Sequence, residues 1–182
     1  MRREIIRTGG ATVLAGLAGC SSPLSTSSPE TETDDNDETQ PEDYTEIYEA
    51  TIDSVVLVET DGQGTGFMYD DQHVVTNAHV VGTAQSARVR FTEGRWSTAT
   101  VVGSDPHSDL AVLAVDDVPE AASPLSFADD DPAVGQRVLA IGNPYNLNGT
   151  MTSGIISGVN RSIPSPAGFE ISDAIQTDAP VN

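Results

Sequence analysis

The sequence predicts an all-β fold, either a sandwich or a barrel, for the part of the chain that follows Ile52. Two observations predict it: short runs of β-branched residues recur, and Gly, Asp and Pro separate them without any long helical periodicity. A break rich in Pro and Asp at Val118–Ala133 divides about six predicted strands from about three. We therefore expect one complete sheet and a second, incomplete sheet with unpaired edges. The predicted strands are Ser54–Val58, Gly66–Tyr69, His73–Thr76, Ala87–Phe91, Ser97–Val102, Leu110–Val115, Val138–Ile141, Thr150–Val159 and Ile171–Gln176.

The first twenty residues have the pattern of an export signal. Arg2 and Arg3 precede a short apolar stretch, Ala11–Ala18, which is far shorter than the ~20 residues of a membrane-spanning helix. Twin arginines are typical of the export route for proteins that are already folded. Residues 1–20 are therefore predicted to be a twin-arginine signal peptide.

Cys20 ends a Leu-Ala-Gly-Cys segment that resembles the lipobox of bacterial and archaeal lipoproteins. In such proteins cleavage leaves the Cys as a lipid-bearing N-terminus, which would anchor this protein at the outer face of the cytoplasmic membrane. The alternative is that Cys20 is an ordinary small residue of the signal peptide. It is the only Cys in the chain, so a disulfide within one monomer is impossible.

Residues 21–50 are predicted to form a disordered tether. Ser, Thr and Pro dominate its first part, and ten acidic residues follow between Glu30 and Glu49. Low hydrophobicity with dense like charge cannot bury enough surface to offset the entropy lost on ordering. The alternative, an acidic metal-binding tract, has nothing that fixes ligand geometry. The tether is expected to hold a folded domain away from the membrane.

The chain carries 28 acidic and 8 basic residues, a formal net charge of -20, and it contains no Lys. This balance excludes a nucleic-acid partner bound through its phosphates, because such binding needs a basic surface. Concentrated salt screens the self-repulsion of such a chain, since the Debye length falls to roughly 3 Å at about 1 M. The composition resembles that of proteins from halophilic archaea and predicts adaptation to high salt.

Two residues occupy positions that suit a base and an acid in acyl transfer. A hydroxyl nucleophile needs an adjacent imidazole, and the imidazole needs a carboxylate that fixes its tautomer and stabilises its charged form. His79 follows the predicted strand His73–Thr76, and Asp109 directly precedes the predicted strand Leu110–Val115. The order His then Asp, with Ser last, is that of the two-barrel proteases. Taken alone, each residue also fits a structural role, as a satisfied His or a turn Asp.

The segments around these residues resemble trypsin-like proteases of the HtrA/DegP family. Thr76–Val81 reads Thr-Asn-Ala-His-Val-Val, and Ser108–Leu113 reads Ser-Asp-Leu-Ala-Val-Leu. The resemblance covers roughly residues 52–182. Four further segments match the family in the same order, namely Gly64–Phe67, Ala140–Pro144, Thr152–Ser157 and Gln176–Ala179.

The resemblance implies a chymotrypsin-like double β-barrel with the active site in the cleft between the barrels. The first barrel would occupy residues 51–118, and a linker with an incomplete second barrel would occupy residues 119–182. The resemblance implies that His79 is the general base and Asp109 the acid that orients it. It also implies an endopeptidase for misfolded or surface polypeptides, homo-oligomers among complete members, and no metal or organic cofactor.

The nucleophile of the family is not found in the 182 residues. In the family, Thr-Asp-Ala-x-x-Asn runs on into Gly-Asn-Ser-Gly-Gly, which carries the nucleophilic Ser and the oxyanion hole, whereas Asn182 is the last residue here. Ser108, Ser153 and Ser157 lie outside any such motif and fit a turn or a strand. We therefore expect an incomplete chain that is inactive by itself and lacks the family's peptide-binding PDZ domain. The alternatives are a non-catalytic lipoprotein that binds unfolded polypeptide and a nonfunctional remnant.

The remaining polar candidates have plainer interpretations. His107 could join His79 and Asp109 in a metal site, but no recognised ligand spacing supports this, and a turn residue is expected. His73 and Trp96 are each expected to lie at the start of a strand.

Three further motifs are weak. Gly62–Gly66 is glycine-rich, but no Lys or helical pattern follows it, so we expect a turn that enters a strand rather than a phosphate-binding loop. The triplets that begin at Asn148 and Asn160 fit the N-glycosylation pattern, and export would allow that modification. Such triplets are also common by chance.

Overall fold

The computed structural model describes residues 44–143, 149–166 and 168–181. The predicted export signal at Arg2 and Arg3, the predicted lipid site at Cys20 and the sequon at Asn148 lie outside these residues. No helix within the described ranges is long and apolar enough to cross a membrane. The elements in chain order are α1 (Tyr44–Ile52), β1 (Val55–Glu59), β2 (Gln63–Met68), β3 (His73–Thr76), α2 (Ala78–Val81), β4 (Ser86–Arg90), β5 (Trp96–Asp105), β6 (Leu110–Val115), β7 (Arg137–Gly142), β8 (Thr150–Pro164) and β9 (Glu170–Thr177).

Six strands close into a barrel in the order β1-β2-β3-β6-β5-β4, and every neighbouring pair is antiparallel. Each of the six overlaps a strand that the sequence predicts. β5 runs on to Asp105, further than predicted, because a register shift between Val101 and Gly103 lets it bend and continue. Val56, Val89 and other apolar side chains are fully buried inside the barrel, whose closure leaves no free edge.

The remaining three strands form an antiparallel sheet in the order β7-β8-β9. The long strand β8 pairs with β7 through its first half, for example Ile155 with Arg137, and with β9 through its second half, for example Ile163 with Ile171. Residues 116–136 connect the barrel to this sheet without a strand or a helix, as the Pro- and Asp-rich break predicted. The expected partial second barrel is therefore present as a three-stranded sheet.

The sequence predicted a disordered tether that reaches residue 50. In the structure Tyr44–Ile52 forms helix α1, so the prediction is wrong for residues 44–50. Tyr44, Tyr48 and Ile52 recur at helical spacing on one half-buried face. The Tyr48 hydroxyl donates a hydrogen bond to the Gly149 carbonyl oxygen at 2.8 Å, which holds the helix against the chain that enters β8. The composition did not indicate this helix, because the residues around its half-buried face are densely acidic.

The pairing of β3 with β6 brings two chain segments to one end of the barrel. Thr76, the last residue of β3, lies opposite Ala111, the second residue of β6. The chain that follows β3 and the chain that precedes β6 therefore meet at the same end. His79 lies in the first of these segments and Asp109 in the second.

Candidate active site

His79 and Asp109 are directly hydrogen-bonded at this end of the barrel. His79 Nδ1 lies 2.7 Å from Asp109 Oδ2, and the His79 backbone N–H donates to Asp109 Oδ1 at 2.9 Å. One carboxylate thus holds both the ring and the main chain of His79. Asp109 is buried, with 7% of its surface exposed, whereas 51% of the His79 side chain is exposed.

The contact with Asp109 decides which ring nitrogen of His79 is free to react. An ionised carboxylate accepts hydrogen bonds but cannot donate them, so the proton of the neutral ring lies on Nδ1. Nε2 then carries the free electron pair, which can accept a proton from a hydroxyl group. When the ring becomes charged, the adjacent carboxylate stabilises it. The pair can therefore serve acyl transfer as a base and its orienting acid.

Asp109 has an uncommon backbone conformation, which Asn77 stabilises. Its φ is 54°, in the left-handed region that Asp and Asn adopt more readily than most residues do. Asn77 Nδ2 donates to the Asp109 carbonyl oxygen at 3.1 Å and to Oδ2 at 3.3 Å. Although Asn77 is the N-cap residue of α2, its side chain makes no capping hydrogen bond to that helix. Its amide group instead holds both the main chain and the carboxylate of Asp109.

The short helix α2, which carries His79, packs on β2 at a place where glycine leaves room. A Cβ atom at Gly64 would lie 2.5 Å from Val80 Cγ2, closer than real Cβ atoms approach a neighbour. The Thr60 hydroxyl donates to the Val80 carbonyl oxygen at 2.7 Å. Gly64 and Thr60 thus determine where the helix, and with it His79, lies relative to the barrel.

A cavity of about 340 Å³ adjoins this site between the barrel and the second sheet. The barrel side contributes Thr65 and Asn77 to its lining, and the second sheet contributes Gly142 and Thr152. Pro180, in the segment after β9, also lines it. The cavity therefore corresponds to the cleft in which, by the family resemblance, the active site is expected.

The other two histidines are each paired with a nearby Asp. His73 begins β3, as predicted, and its Nδ1 lies 2.8 Å from Asp70 Oδ2. His107 lies in the turn before Asp109, as predicted, and its Nδ1 lies 3.2 Å from Asp105 Oδ1. Within the part of the chain that the structure describes, no group of three or more His, Cys, Asp or Glu side chains is arranged to hold a metal ion.

Hydrogen bonds lower the pKa of both of these turn aspartates. The backbone N–H of Gln72 is the main cause of the lowered pKa of Asp70. The backbone N–H of His107, followed by the Ser108 hydroxyl, lowers the pKa of Asp105. Hydrogen bonds to a carboxylate favour its charged form. Both carboxylates therefore stay ionised at a lower pH than an isolated Asp does.

The remaining candidates of the sequence lie at their predicted positions. Ser153 and Ser157 are in β8, and Trp96 begins β5. Gly62 lies in the turn before β2, as predicted, but Gln63–Gly66 already belong to the strand, which begins earlier than the sequence predicted. Asn160 is exposed in β8, with a left-handed φ of 53°. Glycosylation of Asn160 stays a prediction.

Nothing in the sequence pattern predicts that Asn77 and Gly64 position the pair. Amide and glycine residues are common in turns, and neither has a chemistry that indicates this role. The one available signal is their place in two segments that carry the family resemblance, Thr76–Val81 and Gly64–Phe67. Their roles become visible only through contacts with residues that are distant in the sequence.

Comparison with known proteins agrees with this geometry. The family profile described as trypsin-like peptidase domain matches residues 64–182. "Protease Do-like 1, chloroplastic" of Arabidopsis thaliana is 45% identical over 130 residues, which cover 70% of this chain and 30% of that protein. "Periplasmic serine endoprotease DegP" of Escherichia coli (strain K12) is 40% identical over 122 residues, covering 66% of this chain and 25% of that protein. The crystal structure of Deg5 matches with a TM-score of 0.63 and 39% identity, covering 75% of this chain and 73% of that one.

A closed six-stranded barrel with a His–Asp pair at the cleft beside a second sheet is the arrangement of a trypsin-like peptidase domain. The matched profile covers more than half of the chain, and the Deg5 structure is similar over most of its own length. The chain belongs to the HtrA/DegP family of trypsin-like serine proteases. It spans 30% and 25% of the length of the two curated relatives.

Proposed function

We propose that His79 and Asp109 are the general base and the orienting acid of a serine endopeptidase. The observation that carries this proposal is the 2.7 Å contact between His79 Nδ1 and Oδ2 of the buried Asp109. It supports the assignment because it favours the tautomer whose Nε2 electron pair is free. Family membership supports it as well, since the relatives are named as proteases.

In the proposed reaction, His79 Nε2 accepts the proton of a serine hydroxyl while the serine oxygen attacks a peptide carbonyl carbon. The proton then passes to the leaving amine, and Asp109 stabilises the charged imidazole between these two steps. The serine and the N–H donors of the oxyanion hole belong to the family's Gly-Asn-Ser-Gly-Gly segment, which residues 1–182 do not contain. In this reaction the described residues hold and orient the base.

We expect a polypeptide of residues 1–182 alone to lack measurable peptidase activity. Loss of the nucleophilic serine lowers turnover by about 10⁶-fold in subtilisin. That factor corresponds to roughly 8 kcal/mol of activation free energy. The remaining catalytic groups cannot compensate for a barrier of this size.

The proposed substrates are misfolded or damaged polypeptides outside the cytoplasm. One relative is named as a periplasmic endoprotease, and the twin arginines Arg2 and Arg3 favour export of this chain as well. A lipid on Cys20 would anchor the protein at the outer face of the membrane, with residues 21–43 as the tether. A complete form of the protein is expected to assemble into homo-oligomers.

The test begins with the coding sequence beyond residue 182. Where the reading frame continues into Gly-Asn-Ser-Gly-Gly, the longer chain is expected to hydrolyse unfolded casein. His79→Ala and Asp109→Asn should each lower turnover by about 10⁴-fold or more, as loss of triad residues does in other serine proteases. The polypeptide of residues 1–182 should show no turnover that depends on His79.

His73→Ala is the matched control for this experiment. His73 forms the same kind of pair, with Asp70, but lies at the opposite end of β3 from the candidate site. This variant should retain casein turnover. Turnover of the longer chain that survives His79→Ala would contradict the proposed base. A stop codon directly after residue 182 would instead favour the binding protein or the remnant.

A further inference from the structure

The turn that precedes Asp109 contacts the second sheet through two stacked rings. The ring centroids of His107 and Phe169 are 3.8 Å apart, with an angle of 32° between the ring planes. His107 lies in the turn two residues before Asp109, and Phe169 lies directly before β9. The stack therefore joins the acid-bearing turn of the barrel to the tip of the β8–β9 hairpin.

The backbones of His107 and Phe169 are each held by hydrogen bonds within their own turn. The Asp105 carboxylate accepts the His107 backbone N–H at 2.9 Å and the Ser108 hydroxyl at 2.8 Å. In the hairpin, the Ser165 N–H donates to the Phe169 carbonyl oxygen at 2.7 Å, and the Phe169 N–H donates to Ser165 Oγ at 3.3 Å. Ser165 is buried. The two rings are thus carried by residues whose backbones are hydrogen-bonded within their turns.

Residues 105–107, which precede the buried Asp109, are exposed. Leu110, directly after Asp109, is 49% exposed, so it anchors the turn weakly. Asp109 itself has the left-handed φ of 54°, a conformation that persists only where its surroundings favour it. The ring of Phe169 lies against one face of the His107 ring, although 68% of the His107 side chain remains exposed.

We propose that Phe169 and His107 are positioning residues, which hold the Asp109 turn so that its carboxylate stays aligned with the His79 ring. The inference rests on the proposed roles of His79 and Asp109. In this arrangement, the tip of the β8–β9 hairpin helps to support the active site. Displacement of Phe169 loosens the turn, weakens the contact of Asp109 with Nδ1, and frees the His79 ring to change tautomer.

The test observes the His79 Nδ1 proton by NMR in the 182-residue chain. In the unaltered chain this proton should give a downfield resonance that exchanges slowly with water, because the Asp109 carboxylate accepts it. Phe169→Ala should raise its exchange rate by about 2- to 10-fold, the factor by which the loss of one aromatic pair shifts an equilibrium. His107→Ala, which removes the other ring, should have an effect of the same sign. Phe169→Tyr retains the stack and should keep the slow exchange.

Phe127→Ala is the matched control, because Phe127 is an aromatic residue that is 66% exposed and contacts the rings of Phe67 and Tyr69 instead. It should leave the resonance unchanged. Circular dichroism verifies the fold of each variant. If Phe169→Ala does not fold, Phe169→Leu, which keeps apolar volume without the stack, takes its place with the same expected result.

Two results would overturn the inference, and they are distinguishable. Slow exchange that is unchanged in folded Phe169→Ala or Phe169→Leu would overturn the positioning role and leave the proposed function standing. Absence of a slowly exchanging proton in the unaltered chain would overturn the positioning role together with the proposed pairing of His79 and Asp109.

Discussion

Thr65 and Asn143 join the first barrel directly to the second sheet. The Asn143 backbone N–H donates to Thr65 Oγ1 at 2.9 Å, although the two residues are 78 positions apart. The carbonyl oxygen of Thr65 accepts the Thr76 hydroxyl at 2.8 Å, so the same residue also contacts the end of β3. The candidate site is thus supported by a connection between the two sheets as well as by its own hydrogen bonds.

Thr65→Val is expected to lower the free energy of unfolding by about 1–3 kcal/mol, because it leaves a buried N–H without its acceptor. Asn143 is 7% exposed, and valine keeps the shape of the threonine side chain. Urea denaturation followed by circular dichroism measures the change. Thr100→Val, at an exposed position of β5, is the control and should stay within about 0.5 kcal/mol of the unaltered chain. Equal stabilities of the two variants would contradict this role of Thr65.

Gly64→Ala should displace α2, because the new Cβ would lie 2.5 Å from Val80 Cγ2. Overpacking of this kind costs about 1–3 kcal/mol. Gly62→Ala is the control, since nothing lies within 4 Å of a Cβ at that position. The second substitution Val80→Ala should restore part of the stability that Gly64→Ala removes. A Gly64→Ala chain as stable as Gly62→Ala would show that the helix does not need the glycine.

Asn77→Ala is expected to lower the free energy of unfolding by about 1 kcal/mol, because hydrogen bonds to a carboxylate are stronger than average but this one is partly exposed. Asn77→Asp should destabilise the chain further at neutral pH, since it places a second negative charge beside Asp109. That extra loss should disappear in acid, where carboxylates are protonated. Chemical denaturation at the two pH values measures both effects, with Gln85→Ala as an exposed control. Equal losses of stability in Asn77→Ala and Asn77→Asp at neutral pH would contradict the contact between Asn77 and Asp109.

Asp105 should make the stability of the chain fall in acid. Its pKa in the folded chain is lowered from the ordinary value of 3.8, chiefly by the His107 backbone N–H. The ionised group therefore stabilises the fold above pH 3.8, and this contribution is lost as the pH falls through the lowered pKa. Asp105→Asn should be less stable near neutral pH and should lose less stability in acid. Denaturation across this pH range tests it, with Asp129→Asn as the control; parallel curves for Asp105→Asn and the unaltered chain would refute the prediction.

The net charge of -20 predicts that salt stabilises the chain. At about 1 M ionic strength the Debye length falls to roughly 3 Å, so repulsion among the acidic residues is screened. The melting temperature measured by circular dichroism should rise from dilute buffer to molar salt. Equal melting temperatures would show that the interpretation as salt adaptation is wrong.

Local patterns predicted the strands but not helix α1. The runs of β-branched residues, such as Leu110–Val115, mark strands because alternation and turn residues are local signals. Helix α1 was not predicted because the residues of its half-buried face, Tyr44, Tyr48 and Ile52, are few and lie within an acidic segment. Helix α1 is stabilised by its contact with the chain near Gly149. A pattern of neighbouring residues cannot predict that contact, because Gly149 is distant in the sequence.

The sequence by itself determined which segments form strands, the division into six and three, and the two side chains that form the candidate pair. These depend on residue type and on neighbours along the chain. The tertiary structure alone decided that β3 lies beside β6, that Asn77 holds Asp109, and that Phe169 stacks on His107. Such contacts join residues that are distant along the chain. They depend on strand register and on packing across the barrel, and these are properties of the whole fold.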